Sequence, residues 1–205
     1  MEIYSTEEQQ AEAIKRFFRE NGTTIVVGAV LGLGGLYGWK AYNQSQIDSA
    51  EAASEAYTQV VESDDVLAKS DAFVAANADS NYAVLAAFVA AKEAIDKDDL
   101  KLAAEKLTWA ADNVANAELK ATALLRLARV QAAQSQYEQA LATLAKPMPE
   151  AFKAQLAEIQ GDIYLAQGDK DKARSAYQSA LEAAKGNSNP MLQIKLDDLA
   201  QKTTV

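Results

Sequence analysis

Apolar positions along this chain follow two patterns, and one gives way to the other near residue 42. From 21 to 39 the chain reads NGTTIVVGAVLGLGGLYGW, with no charge and no proline. A helix over that run, at about 1.5 Å per residue, is roughly 28 Å long, close to the thickness of a bilayer's hydrocarbon core. Ile25, Val26, Val27, Val30, Leu31, Leu33 and Leu36 fall on all sides of it. A helix lying on a globular domain would keep one side polar. Beyond this run, apolar residues recur at three- and four-residue spacing, the period of helices with one buried side. The pattern predicts helices over 44–62, 66–76, 82–95, 100–114, 119–133, 137–145, 152–167, 170–184 and 190–202. Between them stand Ser63-Asp64-Asp65, a turn over 77–81, the acids from Asp96 to Asp99, Ser135-Gln136, Pro147 with Pro149, Gly168-Asp169, and a break over 186–189. These are cap, turn and breaker residues.

The flanks of the apolar run decide between a membrane anchor and a cleaved leader. Lys15, Arg16 and Arg19 precede it, Lys40 follows it, and Tyr37, Trp39 and Tyr42 sit at its exit. That is the arrangement of a bilayer-spanning helix with an aromatic belt. The preceding arm is long and holds Glu2, Glu7, Glu8, Glu12 and Glu20, unlike a short basic leader with a small-residue cleavage site. The expected organisation is a cytoplasmic arm over 1–20, a transmembrane helix over 21–42, connecting helices over 43–80 and a repeat domain over 81–205. Orientation follows from the basic residues, three before the run and one after, which keep the arm inside. The arm reads as a helix, with Thr6 and Gln9 spaced as a capping box. Its apolar residues Ile14, Phe17 and Phe18 fit a helix lying on the membrane surface or the first turns of the span. Asn21-Gly22 is the expected joint. Gly28, Gly32 and Gly35 share one side of the span, with a second pair at Gly34 and Gly38. Glycine lets a second helix approach closely, and the partner could be another copy or another protein.

Composition narrows the chemistry. The formal charge is −9, which excludes nucleic acid as a partner, since phosphate binding needs a basic surface. With no cysteine and no histidine, disulfides, thiolate or imidazole metal sites, and Ser-His-Asp or Cys-His catalysis are absent. Asp96, Asp98 and Asp99 resemble the start of a calcium loop, but Lys101 and Leu107 stand where its glycine and glutamate belong. No phosphate-binding loop or nucleophile elbow occurs. The expectation is a protein that is not an enzyme, with no catalytic, cofactor or metal residues. The abundance of alanine, leucine, glutamate and lysine predicts an all-α fold.

The helices downstream of residue 81 pair into repeats. In the third pair, Gly161, Tyr164, Gly168, Ala173, Tyr177 and Ala180 occupy the small and aromatic positions of a tetratricopeptide repeat. Small residues let two helices cross closely, tyrosines fill the space beside them, and Gly168 permits the turn. The second pair aligns Ala128, Ser135, Ala140 and Leu144 on this frame, and the first aligns Ala91, Asp98, Ala103, Leu107 and Ala110. The expected architecture is a single N-terminal transmembrane helix followed by a tetratricopeptide-like right-handed helical solenoid, against a plain array of helical hairpins. In such a solenoid the first helices of the pairs line a concave face. That would place Leu125, Arg129 and Ala133 with Glu158 and Asp162 in a candidate groove for a peptide or helix. A solvated surface is the alternative.

Taken together, the arm AEAIKRFFRENG, the span ending GLYGWKAYN, the helix opening SAEAASEAYTQV and the acidic repeat body resemble the YfgM family, ancillary subunits of the bacterial SecYEG translocon. The resemblance implies an inner-membrane protein with its carboxy-terminal domain in the periplasm. It further implies association with SecYEG and the periplasmic chaperone PpiD, and help in handing newly exported proteins to chaperones. It carries over no catalytic residues. The expected contacts are the lipid bilayer, partner proteins and emerging polypeptides. The competing expectation is a membrane-anchored scaffold of an envelope complex that never meets client chains. A third is a regulator acting through the charged arm.

Overall fold

The computed structural model describes residues 7–78, 80–184 and 189–199. The elements are α1 (Glu7–Val61), α2 (Val66–Ala76), α3 (Asn81–Asp96), α4 (Leu100–Asn113), α5 (Ala117–Ala133), α6 (Tyr137–Leu144), a 3-10 turn at Glu150–Phe152, α7 (Lys153–Ala166), α8 (Lys170–Ala183) and α9 (Pro190–Asp198). No strand occurs among the described residues. The chain divides into two compact units, the first running to Ala52 and the second beginning at Ala53.

In the first unit, α1 passes unbroken through Asn21-Gly22, where the sequence predicts a joint. The Asn21 Nδ2 donates to the Phe17 carbonyl one turn back, at 3.1 Å. A glycine inside a helix costs about 1 kcal/mol. Opening the helix beside an apolar span would instead strand backbone groups that lipid cannot satisfy, at several kcal/mol each. Of the two readings of Ile14, Phe17 and Phe18, the structure has the first turns of one long helix. The expected capping residue Thr6 lies outside the described residues.

The second unit is built from overlapping trios of helices. Tyr57 and Val60 at the end of α1 pack with Phe73 of α2 and with Ala83 and Ala86 of α3. The Tyr57 ring lies 6.5 Å from Phe73 and 5.7 Å from Tyr82. The compact unit therefore starts at Ala53, ahead of the boundary at 81 expected from sequence. Phe88, Ala103, Leu107, Leu124 and Leu127 then bind α3, α4 and α5 together. Leu125, Ala128, Ala140, Leu144, Ile159 and Ile163 join α5, α6 and α7. Ala173, Tyr177, Ala180, Leu192 and Leu199 join α8 and α9, with Ala157 of α7. Each fully buried leucine or isoleucine in these layers contributes roughly 1.5–3 kcal/mol. Packing handed on from one group of adjacent helices to the next is the logic of a repeat solenoid.

The hairpin turns show the repeat most directly. Asp98, Ser135 and Gly168 all take positive φ, at 61°, 61° and 83°. In each turn that residue's N–H donates three residues back, and the next N–H donates five back. The bonds are Asp98 to Ile95 and Asp99 to Ala94, Ser135 to Ala132 and Gln136 to Gln131, and Gly168 to Leu165 and Asp169 to Tyr164. The same helix-ending bond pattern thus recurs, although glycine occupies only the third. Asp99 and Asp169 then cap the following helices through Leu102 and Lys172. Asn116 caps α5 through the Leu119 N–H, and Asn189 with Pro190 opens α9.

Candidate interaction surfaces

Three places carry the residues picked out in the sequence. The first is the span. Among the described residues, one helix is long and apolar enough to cross a bilayer, and none of its most apolar stretch is buried. Gly28, Gly32 and Gly35 fall within about 60° of one another at 100° per residue. A Cβ added at any of them would meet nothing within 4 Å. Among the described residues, these glycines answer no packing need.

The second place is the hairpin of α7 and α8 with α9 closed over it. Gly161 lies directly under the Tyr177 ring, where an added Cβ would stand 2.3 Å from Cε1 and 2.4 Å from Cδ1. Only glycine allows that approach. The Tyr177 side chain is fully buried, and its hydroxyl donates to Asp162 Oδ1 at 2.8 Å. Lys195 of α9 donates to the same Asp162 at 2.7 Å and to Glu158 at 2.9 Å. Its ammonium stands 5.7 Å from the centre of the Tyr177 ring. Burial pushes the Tyr177 phenol well above its ordinary range, and the hydrogen bond to Asp162 adds to that. Burial works to lower the Lys195 pKa, but the bonds to Asp162 and Glu158 outweigh it and leave it raised. Arg174 of α8 also reaches the Leu199 carbonyl. Tyr164 packs at the edge of this cluster under Lys172, whose Nζ is 5.6 Å from its ring.

The candidate groove does not assemble as one surface. Leu125 is 1% exposed and lies in the core between α5, α6 and α7, so it lines no groove. The reason is that α5 is buried on nearly all sides, between α4 and the α6–α7 pair. Arg129 and Ala133 are exposed on α5. Glu158 and Asp162 come together, but around Lys195, as the socket of α9 rather than as an open wall. Sequence reasoning missed Lys195, and also a buried pair in which Thr143 donates to Gln131 at 2.8 Å. The run of glutamines at 131, 134, 136 and 139 was the available signal for the latter.

Known proteins add to this geometry. The tetratricopeptide repeat-like domain family matches residues 15–201, which takes in the span as well as the repeats. A protein of Escherichia coli (strain K12) named ancillary SecYEG translocon subunit is 38% identical over 98% of this chain and 100% of its own length. The chain belongs to this family. A relative of the same name from Haemophilus influenzae is 34% identical over 94% of this chain and 97% of its own length. One from Neisseria gonorrhoeae is 27% identical over 97% of this chain and 100% of its own length. No solved structure matches.

Proposed function

We propose that this chain is a non-enzymatic, single-pass inner-membrane accessory of the SecYEG translocon. Its arm stays in the cytoplasm and its repeat domain stands in the periplasm. There it associates with the chaperone PpiD and helps to pass exported proteins to periplasmic chaperones. The observation that carries this reading is the end-to-end similarity to ancillary translocon subunits, which covers span and repeats together. An exposed apolar span and a repeat body suit a protein that works by contact. On this reading Gly28, Gly32 and Gly35 pack against a neighbouring membrane helix, and the exposed part of α5, with Arg129 and Ala133, faces partners.

The test is to isolate the affinity-tagged full chain from inner membranes in mild detergent and identify what comes with it. SecYEG and PpiD should be recovered at comparable yield with wild type, and lost when 21–39 is exchanged for an unrelated span. In parallel, protease added outside the inner membrane should remove the repeat domain and spare the arm. Absence of SecYEG, or an arm cleaved from outside, would overturn the proposal. Recovery of SecYEG by a chain that never contacts an exported protein would favour the scaffold.

A further inference from the structure

A hydroxyl inside a helix commonly turns back on the carbonyl four residues earlier. Ser49, Thr58, Thr108, Thr122, Ser175 and Ser179 all do so. Ser70 of α2 does not. It is fully buried, and its hydroxyl has no hydrogen-bond partner among the described residues. An unmet buried hydroxyl costs stability, and alanine is the better helix former, so Ser70 is unfavourable on both counts. It lines a recess of about 230 Å³ between α2, α3 and α4. A group that enters this recess and bonds the hydroxyl recovers the cost.

The rest of the lining says what the group is. Val74, Ala87 and Ala90 give apolar walls, and Trp109, fixed by contacts with two core clusters, gives an aromatic one. The occupant is therefore an apolar body with one neutral polar tip. The volume is below the ~300–1,000 Å³ of typical small-molecule clefts, which suits a single side chain. Tyrosine has this form. Its ring packs offset or edge-on against an indole, and its hydroxyl both donates and accepts, as a serine hydroxyl does. Tryptophan can only donate, and asparagine or glutamine would bring a second polar group against apolar walls. At the rim, Lys106 of α4 is paired with Asp71 of α2. Glu105, also at the rim, has no ion pair or hydrogen bond among the described residues, and Lys101 one turn back does not pair with it. On a chain of charge −9, that unmatched carboxylate favours a cation beside the tyrosine.

We propose that this recess takes the tyrosine side chain of a partner polypeptide, from a segment with a lysine or arginine next to that tyrosine. The inference rests on the proposed work by contact with other proteins and names one chemistry that the contact reads. It places the contact on α2, α3 and α4, away from the exposed residues of α5 singled out in the sequence.

The test uses the full chain in lipid nanodiscs and a fluorescent peptide, Gly-Ser-Tyr-Lys-Ser-Gly, followed by anisotropy. Replacing the peptide's tyrosine by phenylalanine should weaken binding about 5-fold, and Ser70→Ala should do the same. The two losses should not add, because they remove the two ends of one hydrogen bond. Glu105→Gln should weaken binding of this peptide and leave a version with glutamine for lysine unchanged. Ser70→Ala should also raise the Tm of the full chain in detergent, since it removes an unmet group. If that variant does not fold, a photoreactive group beside the peptide's tyrosine decides: adducts should fall within 66–76 or 100–113. Additive losses, a lowered Tm in Ser70→Ala, or adducts elsewhere on the chain would overturn the recess. Equal affinity for p-cresol and for the peptide would overturn the polypeptide partner and make the recess a small-molecule site. No binding by wild type would overturn the recess alone, because recovery of SecYEG reads translocon association separately.

Discussion

Glycine is used in two ways in this molecule. At Gly161 the neighbour is already present: the Tyr177 ring occupies the space a Cβ would need. At Gly28, Gly32 and Gly35 that space is open. One glycine is explained by the chain's own packing, and the other three are not. The difference separates residues that build the protein from residues available to something outside it. The α7–α8 hairpin is closed by its own ring, its own ion pairs and its own α9. The span is apolar on all sides and, among the described residues, has no neighbour within its unit.

The largest effect should come from filling the space under Tyr177. Gly161→Ala forces the ring to move in a well-packed site, at a cost of about 1–3 kcal/mol, and Gly161→Val costs more. Melting of the full chain in detergent, followed by circular dichroism, should shift down by several degrees. Combining Gly161→Ala with Tyr177→Leu should recover part of the loss, since the two residues are in contact.

A smaller effect should come from the Lys195 clasp. The Lys195 pKa is raised in the fold, so its contribution is complete below its unfolded value, near 10.5, and fades as pH rises through the folded value. The Tyr177 phenol is also raised, from an unfolded value of 10.0. It stays neutral in the fold while the unfolded phenol ionises, which again removes stability as pH rises. Both signs agree, so stability should drop above pH about 10. Lys195→Met with Tyr177→Phe should flatten that fall. At neutral pH Lys195→Met should cost about 1 kcal/mol, because the group is partly solvated.

The smallest effect on folding should come from the span. At Gly28, Gly32 and Gly35 an added Cβ meets nothing within 4 Å among the described residues, so Gly28→Leu, Gly32→Leu and Gly35→Leu have open space to enter, and leucine favours a helix by up to about 1 kcal/mol per glycine replaced. Melting of the repeat domain should not change with all three in place. Recovery of membrane partners should fall.

How much of this was legible in the sequence depends on distance along the chain. Helix positions follow from a local period and local caps, and Asp65, Ser80, Asp99, Asn116, Asp169 and Asn189 all cap as their side chains suggest. Gly161 and Tyr177 stood out because an aromatic facing a glycine is a matter of residue size. The turn residues Asp98 and Ser135 were legible only by alignment to Gly168. The unbroken passage through Asn21-Gly22 was not legible, because the penalty for breaking the helix comes from the medium around it. The burial of Leu125 was hidden for a related reason: a helix packed on most sides has no period that marks an open face. Glu158 and Asp162, one turn apart, read as part of the candidate groove, with a solvated surface as the alternative. Their partner Lys195 lies 37 and 33 residues away on a helix that pattern alone leaves unplaced.

The most direct test of this contrast is photocrosslinking in native inner membranes, with a photoreactive residue placed in turn at Gly28, Gly32, Gly35, Val26 and Leu33. Val26 and Leu33 lie about 140–160° around the helix from Gly28. Adducts to SecYEG or PpiD from the three glycine positions, and few from the two controls, are the predicted result. Equal adducts from all five positions, or adducts only to a second copy of this chain, would contradict it.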